Sequence, residues 1–251
     1  GLITTGSGNI TLDADNDIIF AAEGDITSTS GNVAITADKD NGGASSGLLT
    51  MNDGTLINAG SGTILLSADQ DITLGGLLTT NTGNTAVTLT STEGGIVDGG
   101  ATTVDVVATG GRLVIDSVTG VGVAGAIDTT VASLDLDNAT SGNVDLAETN
   151  AITVVKAVQA TTGNIQIASA GGTVTLDSAG SPANVVSTLS TGTITIDANG
   201  ATSDIVVNDG ISTASGDITL DADNDIIFAA EGDITSTSGN VAITADKDSG
   251  G

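Results

Sequence analysis

Alternating carboxylates dominate the polar chemistry available to this chain. Asp13-Ala14-Asp15-Asn16-Asp17 is followed by Glu23 and Asp25, and the set returns as Asp221, Asp223, Asp225, Glu231 and Asp233. In an extended segment, residues two apart point to the same side. Asp13, Asp15 and Asp17 therefore share one side, as do Asp221, Asp223 and Asp225. Hard oxygen ligands suit Ca²⁺, the candidate cofactor, with these acids as its candidate ligands. The segment is not an EF-hand. Ile18 stands where that loop turns on glycine, and Gly24 where it closes with a bidentate acid. The competing reading is a solvated acidic corner that keeps the molecule soluble.

Other chemistry is limited by what the chain lacks. Without His or Cys, there is no Ser-His-Asp or Cys-His centre, no histidine- or thiolate-bound zinc and no disulfide. A carboxylate pair alone can hydrolyse glycosides. Such sites also use aromatic platforms and basic residues, and the chain has two Phe, no Trp or Tyr, and four Lys or Arg. The expectation is a protein that is not an enzyme. A net charge of −27 argues against nucleic acid, which is bound by neutralising its phosphates. No apolar run approaches the ~20 residues of a spanning helix, so membrane insertion is not expected.

The elements that position these acids repeat on two scales. Residues 3–43 recur as 211–251, an offset of 208 residues with four mismatches: Thr4/Ser212, Gly6/Ala214, Asn9/Asp217 and Asn41/Ser249. Near-identity at a fixed period is the mark of a tandem array, and residues 1–251 read as a single continuous solenoid. Within the long period, Gly, a small polar residue and alternating apolar residues recur. Examples are Gly8-Asn9-Ile10-Thr11-Leu12, Gly62-Thr63-Ile64-Leu65-Leu66, Gly142-Asn143-Val144-Asp145-Leu146 and Gly192-Thr193-Ile194-Thr195-Ile196. Alternation of period two is a half-buried strand. Shorter strands follow, as at Asp17–Phe20 and Asp71–Leu74, then third segments such as Asp25–Thr27 and Leu77–Thr79.

Three strands separated by corners make one coil of a parallel β-helix. The fold class is all-β, a right-handed parallel β-helix (β-solenoid), right-handed being the rule for parallel crossovers. Coils starting near residues 8, 31, 62, 83, 111, 133, 163, 192 and 216 number eight per 208-residue repeat. The corner glycines are read as suppliers of positive φ, and residues 41–47 as a projecting loop. Stacked coils bury one continuous core of Ile, Val, Leu and Ala that no single coil can bury alone.

Runs such as Gly8-Asn9-Ile10-Thr11-Leu12-Asp13-Ala14-Asp15-Asn16-Asp17-Ile18 and Gly62-Thr63-Ile64-Leu65-Leu66-Ser67-Ala68-Asp69-Gln70-Asp71-Ile72 resemble the coils of filamentous-haemagglutinin-like repeat exoproteins. These are large bacterial adhesins and extracellular fibres. The resemblance covers most of the chain at motif level. It implies an extracellular or cell-surface location and an adhesive or structural role, and it transfers no catalytic residue. The expected function is the structural repeat of a secreted filament or matrix fibre. Its partners are further copies of itself, head to tail, and neighbouring filaments bridged by divalent cations. The alternative is the stalk of a giant two-partner-secreted adhesin with a binding tip elsewhere.

Overall fold

A computed structural model describes residues 1–39, 47–100, 104–178 and 184–246. Asp40 and nearly all of the loop read at 41–47 lie outside them. Every element among the described residues is a strand, and all strand pairs are parallel. The strands stack into a β-solenoid of about ten turns. Among the described residues no helix is long and apolar enough to cross a membrane.

The alternation in the sequence becomes the wall of the solenoid. Val33–Ala37, Val87–Ser91 and Ile194–Ala198 each bury every second residue. Inward residues then stack in register from coil to coil. One row runs Leu12, Ile35, Leu66, Leu89, Ile115, Leu136, Ala157, Val186, Ile211, Ile234. A second runs Ile18, Leu49, Ile72, Ile96, Val121, Val144, Ile165, Ile194, Ile218, Val241. Interior members of both rows are buried. Branched aliphatic side chains, stiff at χ1, fit such rows without large voids.

Corner chemistry differs from the sequence reading. Gly31, Gly62, Gly192 and Gly216 do not adopt positive φ, whereas Gly142 and Gly163 do, at 82° and 142°. The common requirement is space. A Cβ on Gly31 would lie 1.9 Å from the carbonyl oxygen of Gly8, and one on Gly192 would lie 1.8 Å from that of Gly163. Corner backbones pass too closely for any side chain. A Ser or Thr three residues earlier receives the glycine N–H: Gly31 N donates to Ser28 Oγ at 2.8 Å and Gly239 N to Ser236 Oγ at 2.9 Å. The following Asn staples coils together. Asn32 N donates to Asn9 Oδ1 at 2.9 Å, and Thr63 N to Asn32 Oδ1 at 3.0 Å.

The long strands do not keep to one face. From Ile10–Ala14 through the C-terminal half of Ile127–Asn138 they lie in the first row, five turns in all. The next long strand, Val144–Glu148, continues the second row instead. Three further turns in that row lead to Ile218–Ala222, the counterpart of Ile10–Ala14. Equivalent strands are thus separated by eight turns and one further face, not by eight turns. The segment read as one coil between residues 133 and 163 makes a turn and a third. One register break helps to accommodate it: Leu134 and Asp135 are consecutive, but their partners are Val154 and Lys156.

Candidate functional site

The structure disperses the predicted cation ligands along coil-to-coil contacts. Asp13 forms an ion pair with Lys39 of the next coil. Asp17 Oδ1 accepts the amide hydrogens of Gly47 and Leu48, both at 2.9 Å, and Asp25 Oδ1 accepts that of Leu56 at 2.9 Å. Asp15 and Glu23 face solvent, Glu23 at φ 67°. In the second copy, Asp223 Oδ2 accepts Gly200 N–H at 2.6 Å, and Asp221 lies in register with Asp197. Asp225, Glu231 and Asp233 are exposed. Among the described residues, no group of three or more acidic side chains is gathered to hold a metal ion. Carboxylates that accept backbone N–H groups do the work of an extra strand residue at the corners.

The described basic residues are all paired. Beside Lys39–Asp13, Lys156 meets Asp137, and Arg112 Nη1 lies 3.9 Å from Asp135. Asp116 stacks beside Asp137 on the same face. Burial, and then the Asp137 and Asp135 charges, hold its pKa above the usual carboxylate range.

Three internal polar features were not singled out from the sequence. The first is Glu148, 1% exposed. Its carboxylate accepts Thr129 Oγ1–H at 2.7 Å, Val131 N–H at 3.1 Å and Asn150 N–H at 3.1 Å. It stands where the long strands change face, and it supplies an acceptor to Val131. Burial raises its pKa, and the donated hydrogen bonds oppose that rise. The inward phase of Val144, Leu146 and Glu148 was the available signal.

The second is a polar string inside one edge. Ser117 Oγ donates to Asn138 Oδ1 at 2.9 Å, and Asn138 Nδ2 donates to Gln159 Oε1. Higher up, Thr188 Oγ1 donates to Thr213 Oγ1 at 2.8 Å. Asn138 and Gln159 are fully buried.

The third is Asp105, 1% exposed. Its Oδ2 accepts Asp128 N–H at 2.8 Å, and its Oδ1 is buried without a hydrogen-bond partner among the described residues. Burial pushes its pKa up to about 7, with Asp98, Asp128 and Asp53 adding repulsion against the Asp128 N–H.

None of these arrangements pairs a nucleophile with a base. Two surface depressions, about 220 and 110 Å³, are lined chiefly by Thr, Ala, Asp, Asn and Ser side chains and backbone.

Some positions of the repeat differ in exposure between the two copies. Val241 and Ile243 are 46% and 49% exposed on the last strand, Val241–Thr244. Their counterparts Val33 and Ile35 are 0% exposed, covered by the Ile64–Ala68 strand. At the opposite end Ile3 is 43% exposed, and its counterpart Ile211 is 0% exposed. No family model, no curated protein and no solved structure matches the chain.

Proposed function

We propose that this chain is a length of a secreted extracellular filament, non-catalytic, whose 208-residue unit extends by end-to-end stacking of β-solenoid coils. One observation carries this reading. Residues 3–43 and 211–251 differ at only four positions, and their described parts fold into the same coils within one continuous stack. Both copies also use the same internal register. Ile10 pairs with Val33 as Ile218 pairs with Val241, and Ile3 pairs with Ile26 as Ile211 pairs with Ile234. An unpaired parallel edge with an apolar inner face favours addition of another such edge. Head-to-tail contacts that do not close give filaments. The sequence resemblance to extracellular fibre repeats points the same way.

The test is electron microscopy with fibre diffraction on the purified chain and on chains carrying two and three units. Filaments with a ~4.8 Å meridional layer line and growth from both ends are expected. Discrete rods that remain monomeric at high concentration would refute assembly through the edges and favour the stalk of an adhesin.

A further inference from the structure

We infer that successive 208-residue units advance by one face, a third of a turn, so that an outward residue climbs around the fibre and regains its starting face after three units. This deepens the reading of the chain as a stacked repeat and rests on it. The occupant of each open edge is a second copy of this repeat.

Ile10 lies on the same strand as Leu12 of the first row, stacked beneath Val33. Its counterpart Ile218 is the last but one member of the second row, which begins at Ile18. The second unit therefore opens on a different face from the first. Pairing within the two copies is identical, Ile10 with Val33 and Ile218 with Val241, so the second unit begins to fold as the first does. Its own counterpart of residues 127–159 then repeats the shift.

The shift has a local cause. Strand Ile127–Asn138 runs unbroken through two faces, and the next coil covers it with the end of one strand and the whole of another. Asp128 and Thr129 lie beneath Ala147 and Glu148, and Ser133 lies beneath Thr153. Between them the backbone of Val131 has no strand partner in the next coil, and the Glu148 carboxylate accepts its N–H instead. Glu148 is a positioning residue for the corner that moves.

A fibre built this way has no privileged side. The Arg112, Asp135, Asp137 and Lys156 patch recurs on each of the three faces in turn. Along one face it returns every ~120 Å rather than every ~38 Å, at ~4.8 Å per coil.

The chain has no cysteine, so engineered pairs report cleanly. Asp145 and Gln166 are in-register neighbours pointing outward. In an eight-turn unit without the shift, Gln166 would lie beside Asp135. Two double variants, D145C/Q166C and D135C/Q166C, are oxidised in dilute solution, and free thiols are counted by titration and mass spectrometry. Circular dichroism confirms that each folds. Near-complete linking of the first pair, at least tenfold faster than the second, is expected. Linking of the second pair, or failure of the first in a folded chain, overturns the inference. Neither result bears on whether filaments form, which microscopy on the same samples reports separately. In filaments, an axial rise of ~40 Å per unit agrees with the advance, and ~38 Å counts against it.

Discussion

The Glu148 carboxylate accepts the Val131 amide hydrogen at 3.1 Å, across two successive coils, at the point where the long strands leave one face for the next. A backbone donor buried without a partner costs about 1–3 kcal/mol. Glu148 also holds Thr129 Oγ1 and Asn150 N. Glu148→Ala is expected to lower stability by roughly 2–4 kcal/mol. Glu148→Gln keeps an acceptor in place and is expected to cost less than half as much. Urea unfolding of the two variants checks the ordering, and equal losses would mean that the side chain acts by volume alone.

Two buried acids set a pH dependence with a definite sign. Asp105 is pushed up to about 7 and Glu148 is raised as well, both first by burial. In the unfolded chain they ionise near 4. Both are protonated in both states at lower pH, where no penalty arises from them. As pH rises above about 4, the unfolded chain releases protons that the folded chain retains, so the contribution of both acids to stability falls, that of Asp105 levelling off above about 7. The high negative charge of the surface adds repulsion when its carboxylates are ionised. Thermal unfolding is expected at a higher temperature at pH 5 than at pH 8. Asp105→Asn should stabilise the protein at pH 8 and do little at pH 4. A variant that melts lower at pH 8 would show that the Asp105 charge is used rather than endured.

The buried Asn138 is held by four kinds of partner. It accepts from Ser117 Oγ and Gly120 N, at 2.9 and 3.0 Å, and donates to Ser141 O at 2.8 Å and to Gln159. Asn138→Leu keeps the volume but leaves several groups without partners in a medium where each is costly. A loss of about 3 kcal/mol or more is expected from denaturant unfolding. A neutral outcome would mean that the string is dispensable once apolar packing replaces it.

These residues also mark where the fold was legible in sequence. Alternation placed Val33 and Ile35 inward, and the same rule carried two residues past Leu146 reaches the buried Glu148, although the sequence reading stopped short of it. Recurring Gly-Asn marked the corners, and the structure adds that Asn9 and Asn32 staple successive coils there. The face shift did not follow, although its signal was present. Strand motifs beginning at Leu134 and Val144 lie too close together for a whole turn of some 21 residues or more. Spacing along a chain does not say which face a strand joins; only cross-coil partners such as Val121 and Val144 do. The candidate cation ligands failed to gather for a related reason. Period-two alternation sets side-chain direction, but it does not reveal that Asp17 and Asp25 are taken by amides 31 residues further on. Corner glycines were legible as corners. Their cause, close passage of backbones at Gly8 and Gly31, required the stack.

One side chain of the repeat occurs in two environments, and that permits a measurement of stacking itself. Ile35 is 0% exposed beneath Leu66, whereas Ile243, the same position one repeat later, is 49% exposed at the open edge. A lysine at the first site places an unpaired charge in the core, and a loss of about 3–5 kcal/mol is expected for Ile35→Lys. At the second site the ammonium reaches water, and Ile243→Lys is expected to change the stability of the isolated chain by less than about 0.5 kcal/mol. In assembly the order reverses in meaning. The next coil would have to bury the Ile243→Lys charge, so this variant should melt like the parent yet fail to elongate filaments from that end. Calorimetry on dilute protein and filament length by microscopy read the two quantities separately. An Ile243→Lys chain that elongates as the parent does would place the growing contact somewhere other than the Val241–Thr244 edge.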